Sequence, residues 1–155
     1  MTGAPVVTVI NGPNLSLLGT REPDRYGSGT EADLRAALDA HAERRGIRIE
    51  FLQSDVEGEI VRAVGASSGR SAGLVINPAG YSHTSVAIMD AMQAFRGPVA
   101  EVHISQVLAR ESFRRRLLTA RAADAFVAGA GFGSYLHAID IVMELASDGA
   151  APHPG

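Results

Sequence analysis

Lysine, cysteine and tryptophan are all absent from this chain of 155 residues, and its 14 basic residues are therefore all arginines. Without a lysine amine, the chain cannot form a Schiff base with a carbonyl substrate or pyridoxal phosphate, and it cannot build a G-x-x-x-x-G-K-[ST] phosphate loop. Without cysteine, it has no thiol nucleophile, no disulfide and no thiolate ligand for a metal or cluster. The chemistry left to it is that of hydroxyl, carboxylate, imidazole, amide and guanidinium groups.

Excess charge and long apolar runs are also lacking. The net charge is −3 and the isoelectric point is near 5.9, so we expect no nucleic-acid partner, because such partners usually require a basic face. No run approaches the ~20 apolar residues of a membrane span, and the N-terminus lacks the features of a signal peptide, so we expect no membrane partner and a cytoplasmic location. The length suits a single catalytic domain at residues 1–148, followed by a disordered tail at residues 149–155.

Five short apolar runs, rich in β-branched residues, alternate with longer segments of helical periodicity. The runs predicted as strands are residues 6–10, 47–52, 73–77, 99–104 and 125–127. This alternation predicts an α/β fold with a five-stranded, doubly wound parallel sheet. In such sheets, ligands bind beyond the carboxyl ends of the strands.

The helix boundaries carry recognisable capping signals. Thr30, followed three residues later by Asp33, forms a capping-box-like pattern that predicts the start of the first long helix, and Gly46 predicts its end. Ser54 or Asp55 is predicted to cap the next helix in the same way.

Polar residues with catalytic potential follow three of the predicted strands. They are Asn14, Arg21 and Tyr26 after the first strand, Asn77 and His83 after the third, and Glu101, His103, Ser105, Arg110 and Arg114 at the end of the fourth and beyond it. Because the carboxyl ends of parallel strands meet at one edge of the sheet, we expect these side chains to share one site. The loop at residues 19–30 has the glycine-rich composition of a mobile loop.

Each of these groups also has a purely structural interpretation. The sequence NGPN at residues 11–14 is a common turn. Glu101 and His103 lie on the same face of a strand, so the carboxylate either orients a catalytic imidazole or forms a buried structural pair with it. Arg114 begins a run of three arginines, which is either a solvated surface or the source of one inward-pointing cation. His41 and His137 have no partner at metal-binding spacing, so we expect no metal site.

Three sequence blocks, NGPNLSLLGTREPDRYG, INPAGYSHTSVAIMDAM and EVHISQVLARESFR, resemble the signature blocks of the type II 3-dehydroquinate dehydratases. The resemblance implies a flavodoxin-like three-layer fold and the anti elimination of water from 3-dehydroquinate through an enolate, without a cofactor. It also implies a homododecamer built from trimers. The unrelated type I enzymes use a lysine Schiff base, a route that the composition excludes here.

The same resemblance implies a role for each matching residue. Tyr26 would be the base that takes a proton from the carbon beside the ketone, and Arg21 would favour its phenolate. His103 would protonate the departing hydroxyl, Glu101 would orient it, and Asn14 would hold a water against the enolate oxygen. The implied substrate-binding residues are Asn77, His83, Ile104 through its backbone amide, Ser105, Arg114, and Asp90, which would reach the site of a neighbouring subunit.

Some positions depart from the family pattern without removing a catalytic group: Ser16, Gln106, Leu108, Ser112 and Ser134. Two alternatives therefore stay open at this point. One is a dehydroquinase of quinate catabolism or a divergent relative, which would share the dehydration step. The other is a flavodoxin-like binding protein without activity.

Overall fold

Five strands and four α-helices make up the regular structure of the computed structural model, which describes residues 3–20, 24 and 28–149. The strands are β1 (Val6–Asn11), β2 (Arg48–Gln53), β3 (Gly73–Asn77), β4 (Val99–His103) and β5 (Ala125–Ala128). The helices are α1 (Glu31–Arg45), α2 (Glu57–Ser67), α3 (Val86–Ala94) and α4 (Gly133–Ser147). Arg21, Tyr26 and the predicted tail from residue 150 onward lie outside the described residues.

All five strands are parallel and lie in the order β2-β1-β3-β4-β5. This is the strand order of flavodoxin-like folds, so the predicted fold class is confirmed. The central strands β1, β3 and β4 are buried along their whole length, because helices cover both faces of the sheet. Their continuous apolar runs follow from that double coverage.

The sheet separates two hydrophobic layers. On one face, alternate strand residues such as Val9 and Val75 pack against α1 and α4. On the other face, Ile10 and Ile76 pack against α2 and α3. Burial of each such side chain stabilises the fold by about 1.5–3 kcal/mol, so the strand ends that carry the polar residues are held on a rigid base.

The boundaries of α1 are confirmed. The Thr30 hydroxyl accepts a hydrogen bond from the Asp33 amide at 3.1 Å, and the Asp33 carboxylate accepts one from the Thr30 amide at 3.0 Å. Gly46 ends the helix in the left-handed region, with φ of +66°. A residue with a Cβ is strained in that conformation, which explains why glycine serves there.

The predicted cap of α2 is wrong. The N-cap residue is Val56, which makes no side-chain cap, while the Ser54 hydroxyl accepts a hydrogen bond from the Val56 amide in the preceding turn. Asp55 is directed away from the helix, and its carboxylate accepts a hydrogen bond from the Asn14 amide at 2.8 Å. The Asp55 carboxylate, which the local sequence predicts as a helix cap, therefore forms a tertiary contact with the turn after β1 instead.

The segment between β4 and β5 contains three short 3-10 turns, Val107–Ala109, Ser112–Arg115 and Thr119–Ala122. Among the described helices, none is both long and apolar enough to cross a membrane.

Candidate active site

A cavity of about 170 Å³ opens beyond the carboxyl ends of β1, β3 and β4. The structure brings most of the predicted site residues to its wall, namely Asn14, Asn77, His83, His103, Ile104, Ser105 and Arg114. Arg110 also contributes to the wall. The cavity therefore lies at the position where open α/β sheets bind their ligands.

His103 and Glu101 form a buried hydrogen-bonded pair at the end of β4. The Nε2 atom of His103 lies 2.9 Å from Oε2 of Glu101, and the Glu101 side chain has no exposed surface. The other carboxylate oxygen accepts a hydrogen bond from the hydroxyl of Thr119, a buried residue in the last 3-10 turn before β5. With Nε2 bonded to the carboxylate, Nδ1 is the ring nitrogen available to a ligand, and it can donate a proton when the ring is charged.

His83, which also lines the cavity, is held by a neutral partner. Its Nδ1–H donates to the backbone carbonyl oxygen of Arg116 at 2.9 Å, which leaves Nε2 as an acceptor. The hydroxyl oxygen of Ser82 lies 3.4 Å from Nε2, but its proton is donated to the Ala79 carbonyl oxygen. Burial lowers the pKa of His83, and the nearby Arg114 and His103 lower it further, against the opposing effects of the carbonyl hydrogen bond and Glu101. This imidazole is therefore suited to accept a hydrogen bond from a ligand rather than to carry charge.

Two arginines give the cavity its positive charge. The Nε–H of Arg114 donates to the Glu111 carboxylate at 2.7 Å, and Arg110 lies beside the same carboxylate at 3.7 Å. Hydrogen bonds from the backbone amide of Glu111 and from the Arg114 guanidinium lower the pKa of Glu111 to about 2. The Glu111 carboxylate therefore stays ionised and anchors Arg114. Among the described residues no carboxylate belongs to the wall itself, so the cavity favours an anionic ligand.

Asn14 and Asn77 present amide groups from two neighbouring strand ends. Asn14 has a φ of +68°, in the left-handed region that asparagine tolerates better than most residues. The Asn77 Oδ1 atom accepts a hydrogen bond from the Ala79 amide at 3.1 Å, which closes a local turn. Both amides can hold polar atoms of a ligand or a bound water.

Of the described site candidates, Glu101 lies behind His103, and Asp90 lies away from the cavity. Asp90 is exposed on α3 and is not part of the wall. Arg21 and Tyr26 lie outside the described residues. Sequence reasoning named Arg110 without giving it a role and missed Thr119, whose position next to Glu101 follows only from the packing of a turn 18 residues further along.

No group of three or more histidine, aspartate or glutamate side chains in the described part of the chain could hold a metal ion. The two histidine rings on the cavity wall are hydrogen-bonded instead, His103 to a carboxylate and His83 to a carbonyl oxygen.

The fold and the cavity define a class: a flavodoxin-like α/β protein with a histidine–carboxylate pair in a small cationic cavity, equipped for general acid catalysis on an anionic polar ligand. Residues 5–143 match the family model for dehydroquinase class II. The chain belongs to the type II dehydroquinase family.

Named relatives and solved structures agree with this assignment. A protein of Bartonella henselae named 3-dehydroquinate dehydratase is 46% identical over 139 residues, which cover 90% of this chain and 94% of that protein. The crystal structure of type II dehydroquinase from Butyrivibrio crossotus has a TM-score of 0.87 at 35% identity and covers 90% of this chain and 98% of its own. The crystal structure of type II dehydroquinase from Propionibacterium acnes has a TM-score of 0.86 at 36% identity, and the match covers 96% of this chain and 100% of that one.

Proposed function

We propose that this chain is a hydro-lyase that dehydrates 3-dehydroquinate to 3-dehydroshikimate, the reaction of the shikimate pathway. Family membership supports the reaction. The observation that carries the assignment to this site is the Glu101–His103 pair, whose histidine lines a cavity together with two arginines. The substrate is a polyhydroxylated carboxylate, which matches a wall of amides, hydroxyls and guanidinium groups.

The elimination requires two proton transfers on opposite sides of the ring. In our proposal, the phenolate of Tyr26 removes a proton from the carbon beside the ketone, and Arg21 stabilises that phenolate. The resulting enolate oxygen is stabilised by a water that Asn14 holds. Both loop residues lie outside the described residues, so these roles rest on the resemblance of the first sequence block.

His103 supplies the second proton. As the imidazolium, it donates a proton from Nδ1 to the hydroxyl group as the C–O bond breaks, and water leaves. The electron pair of the enolate forms the new double bond, so that the product is a conjugated enone. Glu101 fixes the ring through Nε2, and the buried hydroxyl of Thr119 fixes Glu101 in turn. Transfer of the proton from Tyr26 back to His103 resets the site.

The remaining wall residues bind the substrate in this proposal. Arg114 faces the carboxylate, and His83 accepts a hydrogen bond through Nε2, while Asn77, Ser105 and the Ile104 amide hold hydroxyl or carboxylate oxygens. These assignments follow the positions of the residues on the cavity wall and the chemistry of their polar atoms.

An absorbance assay for the conjugated enone tests the function. Wild type should turn over 3-dehydroquinate, and Tyr26→Phe should fold but lose at least ~100-fold in kcat, because the general base is gone. Tyr81→Phe is a matched control, since the Tyr81 hydroxyl donates to the backbone carbonyl of Asp55 and is not part of the cavity wall. A wild type without turnover, or a Tyr26→Phe variant with normal turnover, contradicts the proposal. Borohydride added with substrate should leave no covalent adduct.

We also propose that the active form is a cytoplasmic homododecamer of trimers in which Asp90 completes the site of a neighbouring copy. The exposed position of Asp90, away from its own cavity, supports this role. A mixture of Asp90→Ala and His103→Gln subunits, unfolded and refolded together, should regain activity because some sites receive both native residues. Failure to regain activity in verified mixed oligomers contradicts the role of Asp90.

A further inference from the structure

A buried hydrogen-bonded chain of polar side chains lies at and behind the cavity wall, and the proposed chemistry uses only one of its members, Asn77. It contains Asn11 at the end of β1, Asn77 at the end of β3 and Tyr135 in the first turn of α4. All three side chains are almost completely buried, with exposed fractions of 0%, 3% and 0%. Asn11 and Asn77 are register partners in neighbouring parallel strands, so their side chains point to the same face, where α4 covers them.

The hydrogen bonds of this chain run in one direction. The backbone N–H of Ala79 donates to Oδ1 of Asn77 at 3.1 Å, and Nδ2 of Asn77 donates to the hydroxyl oxygen of Tyr135 at 2.8 Å. The Tyr135 hydroxyl in turn donates to Oδ1 of Asn11 at 2.7 Å. Burial raises the pKa of Tyr135, so the phenol keeps its proton and remains a donor.

This arrangement fixes the orientation of the Asn77 amide group. If the amide turned over, its NH₂ group would face the Ala79 N–H, and two donors would meet without an acceptor. In the observed orientation, one N–H of Asn77 is taken by Tyr135, and the other remains as the donor that the amide offers to the cavity. A ligand that meets Asn77 there must present an acceptor oxygen.

We propose that Tyr135 is a positioning residue for substrate binding, acting through Asn77, with Asn11 as the acceptor that orders its hydroxyl. The inference rests on the proposed function, in which Asn77 contacts the substrate. Tyr135 does not touch the cavity, so its effect on the reaction passes through the direction of one amide group.

The variant Tyr135→Phe removes the hydroxyl and keeps the ring. It should lower kcat/KM for 3-dehydroquinate by about 10-fold, the scale of one lost or misdirected hydrogen bond. The loss should appear in KM rather than in kcat, because a contact made equally in the ground state and the transition state changes binding alone. Thermal unfolding and circular dichroism establish that the variant is folded under the assay conditions.

A double-mutant cycle separates positioning from general structural damage. In an Asn77→Ala background there is no amide to orient, so Tyr135→Phe should change kcat/KM less than two-fold. An undiminished loss in that background, or a Tyr135→Phe variant equal to wild type, overturns the inference. Tyr81→Phe, the matched control, should stay within two-fold of wild type.

Asn11→Ala keeps the Tyr135 hydroxyl but removes its acceptor, and it enters the same cycle if Tyr135→Phe fails to fold. Alone, Asn11→Ala should raise KM several-fold, and in the Asn77→Ala background it should change KM no further. A rise in KM that persists in the Asn77→Ala background overturns the inference. A wild type without turnover overturns the proposed function and this inference together. If wild type turns over the substrate but the effects of the two substitutions on kcat/KM are additive, only the inference is overturned.

Discussion

His83 and His103 are both buried histidines on the wall of the same cavity, yet their partners give them opposite properties. His103 binds through Nε2 to the carboxylate of Glu101, which offers a negative charge to the ring. His83 donates through Nδ1 to the carbonyl oxygen of Arg116, and burial lowers its pKa. In the proposed mechanism, His103 donates a proton, whereas His83 only accepts a hydrogen bond from the substrate. Both rings are buried, and the difference lies in the charge of the partner: a carboxylate faces His103, whereas the carbonyl oxygen at His83 does not offset the effect of burial on its pKa.

The same substitution at the two histidines should produce different kinetic losses. His103→Gln removes the general acid, and kcat should fall on the order of 1000-fold, within the range of such catalysis. His83→Gln removes the rigid ring that holds Nε2 in place as an acceptor for the substrate, and we expect about a 10-fold rise in KM with little change in kcat. Steady-state kinetics on both variants measure the split. Equal losses of kcat would contradict the division of roles.

Replacement of the carboxylate tests the partner of His103 directly. Glu101→Gln keeps the shape of the side chain, but its amide carries no charge and can donate to Nε2, which reverses the tautomer of the ring. We expect kcat to fall about 100-fold, less than for loss of the imidazole itself, because a neutral Nδ1–H still reaches the substrate. An unchanged kcat would mean that Glu101 serves only packing.

Thr119→Val extends the comparison one residue further from the substrate. The substitution is nearly isosteric, but it removes the hydrogen bond to the second oxygen of Glu101. The carboxylate then has one fewer partner to fix its rotamer, so kcat should fall about 5-fold while the KM stays near its wild-type value. Thr119→Ser restores the hydroxyl and should restore most of kcat. If Thr119→Ser and Thr119→Val have the same kcat, the hydroxyl has no part in orienting the Glu101–His103 pair.

The Glu101–His103 pair and the fold are the features that sequence reasoning predicted well. Side chains alternate between the two faces of a strand, so Glu101 and His103, which are two residues apart on β4, lie on the same face. The structure contains the hydrogen bond between them. The five-stranded parallel sheet followed from the regular strand–helix alternation. The local capping box of α1 was also readable, since Thr30 and Asp33 are three residues apart.

The contacts that sequence reasoning missed depend on tertiary packing. Asp55 was predicted to cap α2, but the turn at Asn14 lies close enough in the fold to take its carboxylate. Arg110 and Arg114 both line the cavity, but they do so from positions in or beside separate 3-10 turns, which the arginine run did not reveal. No local pattern marks a turn that is fixed by a contact with a distant strand end.

The smallest predicted effect concerns stability at acidic pH. Because the folded-state pKa of His83 lies below its usual value near 6.5, the unfolded chain takes up this proton at a higher pH than the folded chain does. Stability should therefore fall as the pH drops below about 6.5, by at most ~1.4 kcal/mol per pH unit for one proton. In urea unfolding between pH 7 and 5, His83→Gln should flatten the decline, because the proton-binding difference is removed. His137→Gln, at an exposed histidine of α4, is the matched control and should leave the slope unchanged. A slope equal in wild type and His83→Gln would show that this imidazole is not held neutral by the fold.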